Sequence, residues 1–339
     1  VKRKHFLSSI IPLAASIKGF AASADIINGL ESALNPPYLR EGDLIGIACP
    51  GGFITEEEIK PAILMLKQWG FRVRVGSAVG KRHFTQGGTD EERRLDFQQM
   101  LDDNEVKAIL CGRGGYGTVR IIDKLNFEVF TSHPKWIIGF SDITVIHAHL
   151  AARFNIPSLH SKMCNSFPSD WEAADLVQKE SINAIRKALI GEKSFYTIPP
   201  DPFNKLGEGK GKLLGGNLKT IETLVGTASD FNTKGCILFV EDAGEYLYSI
   251  DRMFWNLKRT GKLDQLKGLI IGGFKVKPDD EGEEFGKTLQ EIVLEKVSEY
   301  SYPVCFGFPV GHQINNVALK CGMLHSLKIS EKNVLLNEC

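Results

Sequence analysis

The sequence predicts an α/β fold: an N-terminal parallel sheet covered by helices, plus a smaller strand-rich C-terminal domain. Three observations carry this. Short apolar runs alternate with helix-length segments between residues 44 and 153, the pattern of strands joined by crossover helices. Trp136-Ile137-Ile138-Gly139-Phe140-Ser141 runs from a buried strand straight into a turn. From Gly207 onward glycines become dense and the apolar runs short.

In order, residues 44–49 form a strand that Pro50-Gly51-Gly52 turns. A helix begins at Thr55, with Glu56, Glu57 and Glu58 suited to the positive end of the helix dipole, and runs to Trp69. Residues 71–75 form the second strand. Thr89 and Glu92 stand in capping-box spacing and open the next helix. Residues 106–111 form a strand, 112–117 a loop and 118–125 a helix. A strand over 135–138 leads to a helix over 142–153, with Ser141 at the turn. Residues 171–189 read as helix and Pro199-Pro200-Asp201-Pro202 as loop. Later come a strand at 236–240 and a helix at 249–260. The domain boundaries are then 1–24, a signal segment; 25–40, a linker; 41–166, the α/β domain; 167–206, a connector; and 207–339, the strand-rich domain.

A serine at a sharp strand-to-helix turn stands clear of the sheet, and the N–H groups behind it face a developing oxyanion. The fifth position of the usual G-x-S-x-G elbow is Ile143 here. On local pattern alone, Ser141 reads equally as a helix cap. A nucleophilic hydroxyl needs a base, and the base needs an orienting group. The apolar strand Cys236-Ile237-Leu238-Phe239-Val240 ends in Glu241, and His312 follows the glycine-rich Val304-Cys305-Phe306-Gly307-Phe308-Pro309-Val310-Gly311. The order Ser, Glu, His is that of α/β hydrolases.

These segments resemble the LD-carboxypeptidases of serine peptidase family S66, the muramoyltetrapeptide carboxypeptidases. The matching motifs are Arg113-Gly114-Gly115-Tyr116-Gly117, Gly139-Phe140-Ser141-Asp142-Ile143-Thr144, Gly215-Gly216-Asn217-Leu218, Glu241-Asp242-Ala243-Gly244-Glu245, Ile250-Asp251-Arg252-Met253 and Gly307-Phe308-Pro309-Val310-Gly311-His312. The resemblance implies Ser141 as nucleophile, His312 as base and Glu241 as its orienter. It implies hydrolysis of the bond to the terminal D-alanine of a murein tetrapeptide, with no cofactor, no metal and a homodimeric enzyme. The N–H groups of Gly115 and Asp142 are candidates for the oxyanion hole. Arg113 and Arg252 are candidates for binding substrate carboxylates, with surface ion pairing as the alternative, and Tyr116 for lining the cleft. Where family members carry a glycine-proline pair, His160 is followed by Ser161-Lys162. An immunity-type hydrolase of peptidyl- or aminoacyl-nucleotides is the alternative within the family. A catalytically silent peptidoglycan-binding protein is disfavoured by the complete Ser, Glu, His set.

Gly112-Arg113-Gly114-Gly115-Tyr116-Gly117 also satisfies the dinucleotide fingerprint G-x-G-x-x-G. At least two strand units precede it, whereas the fingerprint belongs to the first βα turn, and no acidic residue ends the next strand. His147, His149 and His160 read as structural, and no histidine or cysteine spacing suggests a metal. Seven cysteines without C-x-x-C spacing read as small hydrophobes.

Lysine plus arginine equals aspartate plus glutamate at 41 each, so there is no basic footprint for nucleic acid. No 18-residue apolar run suggests an integral membrane segment. Lys2-Arg3-Lys4, an apolar stretch over 6–17 and Ala22-Ser23-Ala24 match a secretory signal peptide. Export to the periplasm or extracellular space is therefore expected, with an amphipathic N-terminal helix and a cytoplasmic enzyme as the alternative.

Overall fold

Apolar runs dictate the strands. Leu44–Ala48 (β1), Arg72–Val75 (β2), Val106–Cys111 (β3), Trp136–Gly139 (β4) and Ser158–His160 (β5) come from the first half of the chain. The second half supplies Phe195–Ile198 (β6), Gly207–Asn217 (β7), Ile237–Ala243 (β8), Gly268–Lys275 (β9), Val304–Cys305 (β10), Leu319–Cys321 (β11), Leu324–Ile329 (β12) and Val334–Glu338 (β13). The helices are Glu56–Gln68 (α1), Asp90–Asp102 (α2), Glu128–Ser132 (α3), Thr144–Arg153 (α4), Leu176–Leu189 (α5), Leu218–Leu224 (α6), Leu247–Arg259 (α7) and Leu289–Val297 (α8). This computed structural model describes residues 35–339. The signal segment, 1–24, and most of the linker lie outside the described residues.

The first sheet has the order β11-β5-β4-β3-β1-β2. Its pairs are parallel except the edge pair of β11 with β5. Every residue of β1 and β4 is buried, as expected for strands covered on both faces. Strand order reverses around β1, whose neighbours are β2 and β3. The loops leaving β1 and β3 therefore diverge at a topological switch point, where such sheets hold ligands.

The second sheet has the order β10-β9-β8-β7-β12-β13-β6. Strands β7 to β10 pair in parallel, and β12, β13 and β6 add antiparallel. In β12 buried and accessible positions alternate, the mark of a half-covered sheet. Two strands cross the sequence boundaries. β6, in the connector, closes the edge of the second sheet, and β11, from the C-terminal part, joins the first.

Between the sheets lies α4, whose residues Thr144 to Leu150 are all buried. One apolar cluster runs through Ile109, Ile137, Ile143 and Ile146 into Leu214, Leu238, Val240 and Ile271. Each such aliphatic, fully buried, contributes roughly 1.5–3 kcal/mol. This shared core holds the carboxyl ends of β4 and β8 in one place.

The capping box of Thr89 with Glu92 forms as read, and the structure adds a second, Thr55 with Glu58. The helix expected over 118–125 is instead two short 3-10 turns, Thr118–Arg120 and Ile122–Lys124. The helix expected from Trp171 starts at Leu176, capped by Asp175. Cys49, Cys111, Cys164, Cys236, Cys305 and Cys321 are buried thiols, as read from sequence, and Cys339 is exposed. Among the described residues no helix is long and apolar enough to cross a membrane.

Candidate active site

Ser141 follows β4 directly and has φ +63°, in the left-handed region that disfavours a side chain. The 3-10 turn Ser141–Ile143 and then α4 follow it. Ser141 is half-buried. A Cβ added at Gly114 would come within 2.9 Å of the Ser141 Cβ and 3.2 Å of its Oγ. Only glycine therefore lets the loop after β3 lie against the serine. Behind it, the Gly52 N–H donates to the Gly114 carbonyl at 2.6 Å.

Glu241 lies near the end of β8 with its side chain fully buried. Its Oε2 accepts from His312 Nδ1 at 2.5 Å and from the His312 backbone N–H at 3.2 Å. A carboxylate can only accept, so His312 carries a proton on Nδ1, and in the neutral ring Nε2 is the acceptor. The His312 side chain is 22% exposed. Gly311 makes the pairing sterically feasible. Its φ is +99°, and a Cβ there would sit 2.3 Å from the Glu241 Cβ. The ring of Phe140, the residue before Ser141, packs on the His312 ring with centroids 5.1 Å apart. The serine turn and the histidine loop are thus in contact through adjacent residues.

Asp142 is buried, and its carboxylate accepts from the Thr118 N–H at 2.9 Å and the Thr118 hydroxyl at 2.6 Å. Burial raises its pKa, against those hydrogen bonds. Its side chain ties the serine turn to the neighbouring loop. Its N–H lies in the first turn of a helix, where such groups lack an intrahelical partner. The N–H of Gly115, at φ +77°, makes no hydrogen bond among the described residues. Both remain free to donate.

The chain has relatives among known proteins. Residues 45–161 match the model of the LD-carboxypeptidase N-terminal domain, Peptidase_S66, and residues 210–327 that of the LD-carboxypeptidase C-terminal domain. A Bacillus subtilis (strain 168) protein named "Probable murein peptide carboxypeptidase" is 31% identical, over 89% of this chain and 93% of its own. The chain belongs to the LD-carboxypeptidase family, S66. It is a serine-type hydrolase. The crystal structure of the muramoyltetrapeptide carboxypeptidase from Oxalobacter formigenes superposes with TM-score 0.77 at 29% identity, covering 87% of this chain and 98% of that one. The microcin C7 self-immunity protein MccF of Escherichia coli is 24% identical over 88% of this chain and 94% of its own. A structure of MccF shares the fold, with TM-score 0.78 at 22% identity over 90% of this chain and 99% of that one.

The other candidates of this LD-carboxypeptidase are dispersed. Arg113 and Tyr116 are exposed on the loop after β3. Arg252 is exposed on α7, its guanidinium over the Tyr248 ring at 5.5 Å. His147 is a core residue, bonded to Ser158 Oγ and the Gly139 carbonyl, and His149 bonds Ser229 Oγ. His160 is fully buried between Phe140 and Phe239, with neither ring nitrogen partnered among the described residues. The G-x-G-x-x-G loop leads into a 3-10 turn, not the α-helix whose N-terminus would hold a pyrophosphate. A cleft of about 800 Å³ between α5, β6 and the 309–320 segment contains none of Ser141, Glu241 and His312.

Several supporting residues left no readable signal. Arg93, fully buried on α2, donates to the Gly117 carbonyl at 2.9 Å and to the Pro50 carbonyl, joining two of the site's loops. In a helix of mostly polar residues nothing marks it out. Thr144 Oγ1 accepts from the Asn217 N–H at 3.0 Å, joining α4 to β7. Lys162 donates to the Gln313 carbonyl at 2.8 Å, beside His312. The departure from the family's glycine-proline pair was its one signal.

Proposed function

We propose that this chain is a murein LD-carboxypeptidase that removes the terminal D-alanine of a stem tetrapeptide through Ser141, His312 and Glu241. The observation that carries the reading is the buried Glu241 carboxylate holding His312 Nδ1 at 2.5 Å, with Phe140 linking that ring to the Ser141 turn. His312 Nε2 takes the proton as Ser141 Oγ attacks the scissile carbonyl. The tetrahedral oxyanion is met by the N–H groups of Gly115 and Asp142. Collapse breaks the peptide bond, and the imidazolium gives its proton to the leaving D-alanine nitrogen. Water, deprotonated by His312, then cleaves the acyl-enzyme and restores the serine. The names of the B. subtilis and O. formigenes relatives support the murein substrate.

A mass assay on defined muropeptides tests this. The protein should release one alanine from the tetrapeptide, and Ser141→Ala should lose about six orders of magnitude in turnover. Activity surviving in Ser141→Ala would reject the triad. A second reading, an aminoacyl-nucleotide hydrolase, rests on the stacked Tyr246 and Tyr248 rings just past β8. That aromatic surface is of the kind that takes a base, and MccF has been solved with glutamyl sulfamoyl guanosine. The same assay with an aminoacyl sulfamoyl nucleoside separates the two.

A further inference from the structure

A cation without a counter-ion stands beside the catalytic histidine. Lys162 follows β5 and is half-buried. Its ammonium donates to the carbonyl of Gln313, the residue after His312. The loop that presents this carbonyl is held firmly. Gln313 donates from Nε2 to the Phe308 carbonyl at 2.8 Å, and its side chain lies against Gly273, where a Cβ would meet it at 2.9 Å. Val310 accepts from the Gly273 N–H at 2.8 Å.

No carboxylate pairs with Lys162 among the described residues. The acids of the segment after β8 are engaged elsewhere. Glu241 holds His312, Asp242 accepts from the Lys219 N–H at 2.8 Å and the Ala243 N–H at 2.6 Å, and Glu245 accepts from the Ser249 hydroxyl at 2.6 Å. A second cation lies on the strand bridged to the histidine loop, β9, where Gly273 pairs with Gly311. Lys275 ends β9, is exposed, and has no side-chain partner among the described residues. Burial, and then repulsion from Lys275, lowers the pKa of Lys162. Partly buried charge without a partner is costly to keep. A cation fixed to the residue that adjoins His312, and repelled by the exposed Lys275, is suited to an anionic ligand.

We propose that Lys162, assisted by Lys275, binds the free C-terminal carboxylate of the amino acid that leaves. The inference rests on the carboxypeptidase reading above. The leaving amine must reach His312 to be protonated, and its own carboxylate is one carbon away from that nitrogen. A cation fixed to the residue adjoining His312 is placed for that carboxylate, and it makes the site prefer a chain end over an internal bond. In this chain Lys162 stands where the family pattern has the proline of a glycine-proline pair.

The test compares the tetrapeptide acid with the same peptide carrying a C-terminal carboxamide, in the full-length protein. Wild type should prefer the acid. Lys162→Gln should lower kcat/KM for the acid about 10- to 100-fold, the worth of a charged hydrogen bond, mainly through KM. The carboxamide rate should fall far less, by what the lost bond to the Gln313 carbonyl costs, so the preference narrows. Lys275→Gln, which removes no structural bond, should weaken the preference in the same direction. Equal losses on both substrates in Lys162→Gln, or an unchanged acid preference in both variants, would overturn the subsite while leaving the carboxypeptidase reading intact. A wild-type protein that releases alanine from neither peptide would refute that reading and the subsite with it.

Discussion

Ser141 is held in a conformation its side chain resists. At φ +63° its Cβ crowds the following carbonyl, a strain of roughly 1–2 kcal/mol. The neighbouring glycines yield space around it, Gly114 beside the hydroxyl and Gly311 under the histidine. Strain at this position is measurable. Ser141→Gly and Ser141→Ala both lack the hydroxyl that the proposed mechanism uses and should both be inactive, but the glycine variant should be the more stable by about 1 kcal/mol in urea unfolding. An alanine variant as stable as the glycine one would place the strain elsewhere. The serine was legible as a turn residue because Gly139 breaks an apolar strand just before it. Its left-handed backbone was not legible, because the packing of the loop after β3 imposes it.

At the scale of elements, the site is a set of strand ends whose loops are tied together. Arg93 joins the loops after β1 and β3, and Asp142 joins the loop after β3 to the serine turn. This explains why residues 118–125 do not form the expected α-helix. The first N–H and hydroxyl of that segment are committed to Asp142, and Arg120 to Asp90, so tertiary bonds set its path instead of local propensity. Thr118→Val removes the hydroxyl donor to a buried carboxylate. It should destabilise the protein by about 1–3 kcal/mol and lower kcat by loosening the serine turn. Wild-type melting and wild-type turnover in this variant would show that the tie is immaterial.

For the molecule as a whole, buried histidines set the response to acid. Burial pushes His147 down to about 4, lowers His160 well below its ordinary value, and lowers His149 and His325. Below the ordinary value near 6.5 the unfolded chain binds protons that the native state refuses. The stability these residues give is therefore complete above pH 6.5, and is lost as pH falls toward 4. For His147 alone the loss between pH 7 and 4.5 is about 2–3 kcal/mol. Asp242 acts in the opposite sense. Burial raises it to about 6, so its contribution is present below its ordinary value near 3.8 and is lost as pH rises through 6. Comparing His147→Gln with wild type in urea at pH 7 and 4.5 isolates the histidine. The variant should lose less stability over that interval by about 2–3 kcal/mol. Equal losses would mean that His147 takes up a proton as readily folded as unfolded.

By itself the sequence determined the alternation of strands and helices, the helix start at Thr55, the capping box at Thr89, the family motifs, and the chain order of Ser141, Glu241 and His312. These are local features: apolar period, cap chemistry and short motifs are written in neighbouring residues. Only the tertiary structure decided which distant residues meet. It sent β11 into the first sheet and β6 into the second. It brought His312 onto Glu241 across 71 residues, and tied Lys162 to Gln313 across 151. It left Arg252 on the surface against Tyr248. Such pairings depend on how two sheets share one core around α4, and the burial of seven of α4's ten residues is a property of the folded chain, with no short stretch of sequence to encode it.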